Sequence, residues 1–299
     1  MESVGYNGFF NFITSFAATH NHDYLVVGVL IIPEKQISIM HMKNILAILV
    51  LLIGCSVMNA QSITVDTYIK ITYLNVEPAA IGPFLESVES NWKQMQASRV
   101  DAREIQRWHL YRVPYSGDRH MSYNFVSVEM AENLNALQSE DRKSTREYRN
   151  ALRKAKPLTY VVHTEIWKTM AVVHNEGKHL PSRYMNVNYM SASSDKLDEY
   201  LHLETEIASQ LHAHQMKNGR MDGWAFHRLV FPTGVSSPFN FITADFYSNL
   251  EQIEMGITRQ VIEEVHPDMN VDEFEYFADS IRERVHSDLW ELLEYALPK

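Results

Sequence analysis

Residues 108–130, WHLYRVPYSGDRHMSYNFVSVEM, recur 116 positions later as residues 224–246, WAFHRLVFPTGVSSPFNFITADF. The match extends without a gap from residues 68–137 onto 184–253. YIKITYL (68–74) meets YMNVNYM (184–190), Asn133-Leu134 meets Asn249-Leu250, and eleven of the seventy positions are identical while most others keep their apolar character. After a seven-residue insertion in the second copy the match resumes at an offset of 123, where His163-Thr164-Glu165-Ile166-Trp167 stands opposite His286-Ser287-Asp288-Leu289-Trp290. The chain therefore carries a tandem duplication of one unit, over residues 61–175 and 183–299, joined by the polar stretch HNEGKHLPS at 174–182.

Within the first unit, Tyr68–Leu74 alternates and is rich in β-formers, which predicts a strand. Pro78 opens a helix to about Ser98, with Phe84, Leu85, Val88, Trp92 and Met95 at helical spacing. Strands are predicted at Ile105–Val113 and Tyr123–Met130 around a Pro/Ser/Gly turn, followed by a charged helix to about Lys156 and a last strand over Leu158–Met170. In the second unit the acidic segment Asp272–Glu294 completes the last helix and strand. The order βαββαβ is the ferredoxin-like, split βαβ arrangement of an α+β unit, with both helices on one face of a four-stranded antiparallel sheet. The other face must be buried too. In a duplicated chain its partner is the second sheet, so the two units are expected to pack sheet to sheet as an intramolecular α/β barrel enclosing a cavity.

In element order, duplication and the paired strand motifs WHLYR (108–112) and WAFHR (224–228), the sequence resembles the dimeric α/β-barrel superfamily, here with one chain supplying both halves. The resemblance covers nearly all of residues 61–299 and implies the fold. The superfamily includes small monooxygenases, haem-degrading and haem-binding enzymes, isomerases and stress-response proteins, so it implies no single chemistry.

Chemistry has to come from side chains that share a strand face. Trp108 and Arg112 do so, as do Trp224 and Arg228; on the last strands His163, Glu165 and Trp167 share a face, matched by His286, Asp288 and Trp290. An imidazole and a carboxylate two residues apart on one face stand about 6–7 Å apart, close enough for the acid to tune the base. His163, Glu165, His286 and Asp288 are thus the catalytic candidates. Trp108, Arg112, Trp167, Trp224, Arg228 and Trp290 are ligand-binding candidates, with arginine able to hold an anionic group through two parallel hydrogen bonds. Each has a structural alternative: tryptophans as core, arginines paired with Glu129 or Asp245, histidines as hydrogen-bonded interior or strand-end residues. Asn124 and Asn240, central in YNF and FNF, either contact a ligand or hydrogen-bond across the sheet.

Metal ligation is not expected. His202, His212 and His214 fall on one helix of the second unit among Glu and Gln, which predicts a solvated face, and no HExxH is present. No Gly-rich phosphate loop, GxSxG elbow or cysteine cluster occurs, and the cofactor, if any, stays unknown, with haem on an interior histidine as one alternative. A net charge of −10 argues against a nucleic-acid partner. Lys43, the apolar run ILAILVLLI and a small residue before Gln61 read as a signal peptide over 42–60. Residues 1–41 are then expected to lie outside the mature protein, with an extension packed on the domain as the alternative. Leu52-Ile53-Gly54-Cys55 also resembles a lipobox, so the exported product is either soluble (periplasmic or secreted) or anchored to the envelope through Cys55. The expected function is an exported binder of a small organic ligand, with or without His/carboxylate acid–base chemistry; the alternative is a non-catalytic envelope or stress-related interaction protein.

Overall fold

A computed structural model describes residues 67–118, 122–137, 158–174, 180–234 and 237–299. The signal peptide, residues 1–41, Cys55, the middle of the HNEGKHLPS linker and most of the charged helix expected up to Lys156 lie outside the described residues.

The first unit contributes β1 (Tyr68–Asn75), β2 (Arg107–Ser116), β3 (Phe125–Ala131) and β4 (Tyr160–His174); the second contributes β5 (Tyr184–Ser191), β6 (Gly223–Phe231), β7 (Phe241–Tyr247) and β8 (Glu283–Ala296). Each unit has the ferredoxin-like order, and together they close into one eight-stranded barrel, β1-β3-β2-β8-β5-β7-β6-β4. The last strand of each unit serves both units; β4 runs on to His174, past the Met170 expected as its end, and its second half closes the barrel. Residues 160–168 of β4 pair with β1 of their own unit, whereas 166–174 pair with β6 of the other. β8 does the same, with 283–291 on β5 and 288–296 on β2. No sheet edge is left open around the ring.

Every pairing is antiparallel, so strand direction alternates around the ring. β1 and β5 stand four places apart and run the same way. The pseudo-two-fold axis relating the copies therefore runs along the barrel axis, and equivalent residues face each other at the same depth.

Strands in this arrangement are buried on both faces. The interior is packed by Ile69, Ile71, Tyr73, Tyr111, Val126, Trp167 and their counterparts, including Val187, Tyr189, Ile242 and Trp290. Outside lie the helices: α1 (Ile81–Ser87) and α2 (Lys93–Asp101) with α3 (Leu134–Leu137) in the first unit; α4 (Leu197–His202), α5 (Ser209–Lys217), α6 (Glu251–Met255), α7 (Arg259–Val265) and α8 (Val271–Ile281) in the second. A π turn joins α1 to α2 over Val88–Trp92 and α4 to α5 over Leu203–Ala208, at matching places in the repeat. Phe84, Val88 and Val100 press on Trp108, Leu110 and Phe125, and Tyr200, Leu203 and Leu197 press likewise on Trp224, Phe226 and Phe241.

The layer between helix and sheet differs between the copies. In the first, Glu129 Oε1 accepts 2.8 Å from Arg99 and 2.9 Å from Gln96, and Trp108 Nε1 donates to Ser127 Oγ at 2.9 Å. In the second, Asp245 Oδ2 accepts from Asn188 at 3.0 Å and Asn186 at 3.3 Å, and Glu204 replaces the apolar Val88 of the first copy. Glu204 is 4% exposed, with Arg282 Nε 3.8 Å away. Burial outweighs that guanidinium and raises the Glu204 carboxyl to about 7.

Two expectations follow. A Cβ on Gly223 would stand 2.9 Å from the Val173 carbonyl at the β4–β6 seam, where backbone must give way. Gly223→Ala should therefore lower stability by about 1–3 kcal/mol, the cost of overpacking, measured by urea unfolding. Glu204 binds its proton more tightly folded than unfolded, so stability falls as pH rises from the ordinary carboxyl value of 4.5 through about 7. The span corresponds to roughly 3 kcal/mol. Glu204→Gln should flatten that slope, and an unchanged slope in pH-dependent melts would refute the assignment.

Candidate functional site

The end of the barrel formed by the C-termini of β1 and β5 and the N-termini of β4 and β8 gathers both His/carboxylate sets. On β4, His163, Glu165 and Trp167 face inward at successive depths; on β8, His286, Asp288 and Trp290 do the same. His163 lies at the rim, its side chain 41% exposed, while Glu165 and Asp288 are buried at 4% and 0%. The axial symmetry thus joins what the sequence lists as two separate sets into one site.

Tyr73 and Tyr189, equivalent positions of β1 and β5, meet across the axis with their hydroxyls 3.1 Å apart. Tyr73 Oη donates to Glu165 Oε2 at 2.8 Å, so its single proton is committed and Tyr189 donates to Tyr73. Glu165 Oε2 also accepts from Trp167 Nε1 at 3.1 Å, and His163 Nε2 lies 3.5 Å from Glu165 Oε1. On the other side Tyr123 Oη donates to Asp288 Oδ2 at 2.6 Å. Burial, reinforced by Glu165, pushes the Tyr73 hydroxyl well above the ordinary phenol range; burial does the same to Tyr189, and burial with Asp288 to Tyr123. All three phenols stay protonated at neutral pH; Tyr73 and Tyr123 donate to the carboxylates and Tyr189 donates to Tyr73.

Six rings line this end. The His163 ring stacks on Tyr73 at 4.0 Å and the His286 ring on Tyr189 at 4.1 Å; Tyr123 meets Tyr73 edge-on at 4.7 Å, and Phe239 lies 4.8 Å from Tyr189. The arrangement presents aromatic walls, two accessible or half-buried imidazoles and, beneath them, two carboxylates. It is suited to a planar organic molecule and to proton exchange between that molecule and an imidazole or carboxylate.

Other candidates do not join it. Trp108 and Trp224 face the helices, on the opposite strand face from the barrel interior. Arg112 and Arg228, on the same outward face, are exposed; Arg112 pairs with Glu291 at 2.6 Å rather than with Glu129. Alternation identifies which residues share a face but not which face turns inward, and in a strand buried on both sides hydropathy does not decide it. Asn124 clamps the backbone of Val76 through bonds of 2.9 and 2.8 Å, and Asn240 clamps Ala192 at 3.0 and 2.7 Å. Both amides are spent on the chain itself.

The inward positions of β2 and β6 hold His109 and His227, each lowered to about 3 by burial. His227 Nδ1 lies 3.1 Å from Thr169 Oγ1. On the helix, His214 meets Glu264 at 3.1 Å, whereas His212 turns from the expected solvated face onto Trp224, with ring centroids 4.8 Å apart. No group of three or more potential metal ligands occurs among the described residues.

No protein-family model matches the chain, and no curated protein matches it. Among solved structures it is similar to a proposed monooxygenase from Lactobacillus acidophilus, at 13% identity over 77% of this chain and 96% of the other, with a TM-score of 0.49. It is also similar to a mutant chlorite dismutase from Candidatus Nitrospira defluvii, at 10% identity over 78% and 92% with a TM-score of 0.45. A haem-binding protein from Thermus thermophilus matches at 8% identity over 78% and 96%, with a TM-score of 0.45. Such likeness concerns fold and carries no chemistry across. The repeat, the strand order and the closure of the ring stand on their own: the chain has the dimeric α/β-barrel fold with both halves in one polypeptide.

Proposed function

We propose that this is an exported small-molecule-binding protein that holds a planar organic ligand at the His163/His286 end of the barrel. The observation that carries the reading is the convergence of both copies on one axis: the Tyr189–Tyr73–Glu165 chain and the Tyr123–Asp288 bond, capped by two imidazoles stacked on tyrosines. Buried carboxylates are costly to keep, and here they are fixed by donors beneath an aromatic rim instead of being replaced by apolar residues. His163, 3.5 Å from Glu165 and open to solvent, is the group placed to take a proton from a ligand or return one, with Glu165 orienting it. Acid–base chemistry of this kind requires no bound cofactor. The charged start, apolar run and small residue at 42–60, which read as a signal peptide, support a location outside the cytoplasm.

Haem finds less support in these residues. His227 is committed to Thr169, and His109 is enclosed beside Tyr111, with ring centroids 5.9 Å apart, so neither of these interior histidines would hold a haem iron. One observation favours a non-catalytic interaction protein instead: Trp167 and Trp290, at 0% and 1% exposure, fill the barrel below the carboxylates.

The two readings separate by histidine-observed NMR of the mature protein against a set of small aromatic compounds. Binding at the rim should move the His163 and His286 ring resonances together, and His163→Ala should weaken it by about tenfold, the worth of one good stacking or hydrogen-bond contact. Ring resonances that stay still throughout the set would favour the interaction protein.

A further inference from the structure

The two carboxylates on the barrel axis are not equivalent. Glu165 is saturated on its inner side, accepting from Tyr73 and from Trp167 Nε1. Asp288 accepts from Tyr123 through Oδ2, but its Oδ1 is buried with no hydrogen-bond partner among the described residues, and so is Trp290 Nε1, two residues along the same strand face. Asp288 is 0% exposed and Trp290 1%. The cause is one methylene: the longer Glu165 side chain reaches back to the indole of its own half, and the shorter Asp288 does not. The copies differ again above this point, where Tyr123 in the first stands opposite Phe239 in the second.

A buried acceptor and a buried donor left open on one strand face are complementary to a group that both donates and accepts. We infer that the second copy alone takes a ligand hydroxyl, whose proton goes to Asp288 Oδ1 and whose oxygen accepts from Trp290 Nε1, while Glu165 closes the equivalent place in the first copy. An ether oxygen could only accept, and a carboxylate would meet Asp288 with like charge. The inference rests on the reading that the rim admits a planar organic molecule. It adds that the ligand's inner end is a hydroxyl and that one barrel holds one ligand, on the β8 side.

The test uses the mature protein, labelled at the tryptophan indoles and histidine rings, with phenol, anisole and benzoate as probes. Trp290→Phe identifies the Trp290 indole signal. Phenol should shift that signal and bind about tenfold more tightly than anisole, the worth of one hydrogen bond to a charged group. Asp288→Glu, which rebuilds the arrangement of the first copy, should abolish the phenol-dependent shift. Glu165→Asp should make the Trp167 indole responsive as well. Should Asp288→Glu fail to fold, Trp290→Phe decides: phenol and anisole must both bind more weakly, since each loses the indole N–H, while phenol keeps its advantage through Asp288, and unchanged binding of both would overturn the assignment.

Equal binding of phenol and anisole would overturn the hydroxyl assignment while leaving the rim site intact. A Trp290 signal unmoved by every probe, with the His163 and His286 rings responding, would do the same. Histidine rings that are also unmoved would end both readings.

Discussion

The structure depends on closure of the barrel by strands that serve two sheets at once. A four-stranded ferredoxin-like sheet has one face without helices and two edges with unpaired backbone, and neither can be left bare in a stable monomer. β4 and β8 meet both requirements because each pairs first with its own unit and then, over its second half, with the other. The two seams are backbone-to-backbone contacts. Gly223 lies on Val173 at one, and Gly117 donates to the Ser287 carbonyl at 2.7 Å at the other. With the ring closed, the symmetry axis falls on the barrel axis, equivalent inward residues stand at the same depth, and Tyr73 meets Tyr189 across it.

That geometry explains what the sequence discloses and what it withholds. The duplication, the βαββαβ order and the barrel are legible because the repeat fixes the unit and the alternation fixes the strands. The His163/Glu165 and His286/Asp288 sets are legible as pairs on a strand face, but their union is a property of the axis, which no local pattern reports. Tyr73 and Tyr189 are one of the identical pairs of the repeat, yet a tyrosine within YIKITYL reads as core, and here it is core and hydrogen-bond partner together. The tryptophans and arginines of WHLYR and WAFHR are harder. Both faces of β2 and β6 are buried along most of their length, so apolar content does not choose between the helix side and the barrel side. Glu204 gives no signal because its counterpart is Val88, and a single carboxylate in a helix among Glu and Gln reads as solvent-facing.

The two copies have diverged chiefly in their buried polar groups. In the helix layer the first copy has an ion pair, Arg99 with Glu129, where the second has a carboxyl held by asparagine amides and a further buried acid. At the turn after the long helical segment, Arg103 occupies a left-handed conformation at φ 57° where Gly219 takes φ 69° at no steric cost. On the axis the first copy has Glu165 accepting from both Tyr73 and Trp167, and the second has Asp288 with one oxygen unpartnered among the described residues. Neither copy is simply the degraded one: strain sits in the first at Arg103, and buried polar groups with no partner among the described residues sit in both, at His109 in the first and at Asp288 and Trp290 in the second.

Unmatched groups of this kind persist against a constant thermodynamic pressure, since an apolar residue at position 288 or a longer acid would remove the cost in one substitution. In a symmetric homodimer that substitution would change both sides of the axis together, and a site with one open and one closed carboxylate could not exist. Fusing the halves into one chain removes that restriction. The Tyr189–Tyr73–Glu165 chain still ties the two halves together across the axis, and Tyr123, bonded to Asp288, meets Tyr73 edge-on, so the two sides of the site share one set of phenols. The single-chain barrel is therefore the architecture in which one half can specialise in holding a ligand and the other in positioning the groups that act on it.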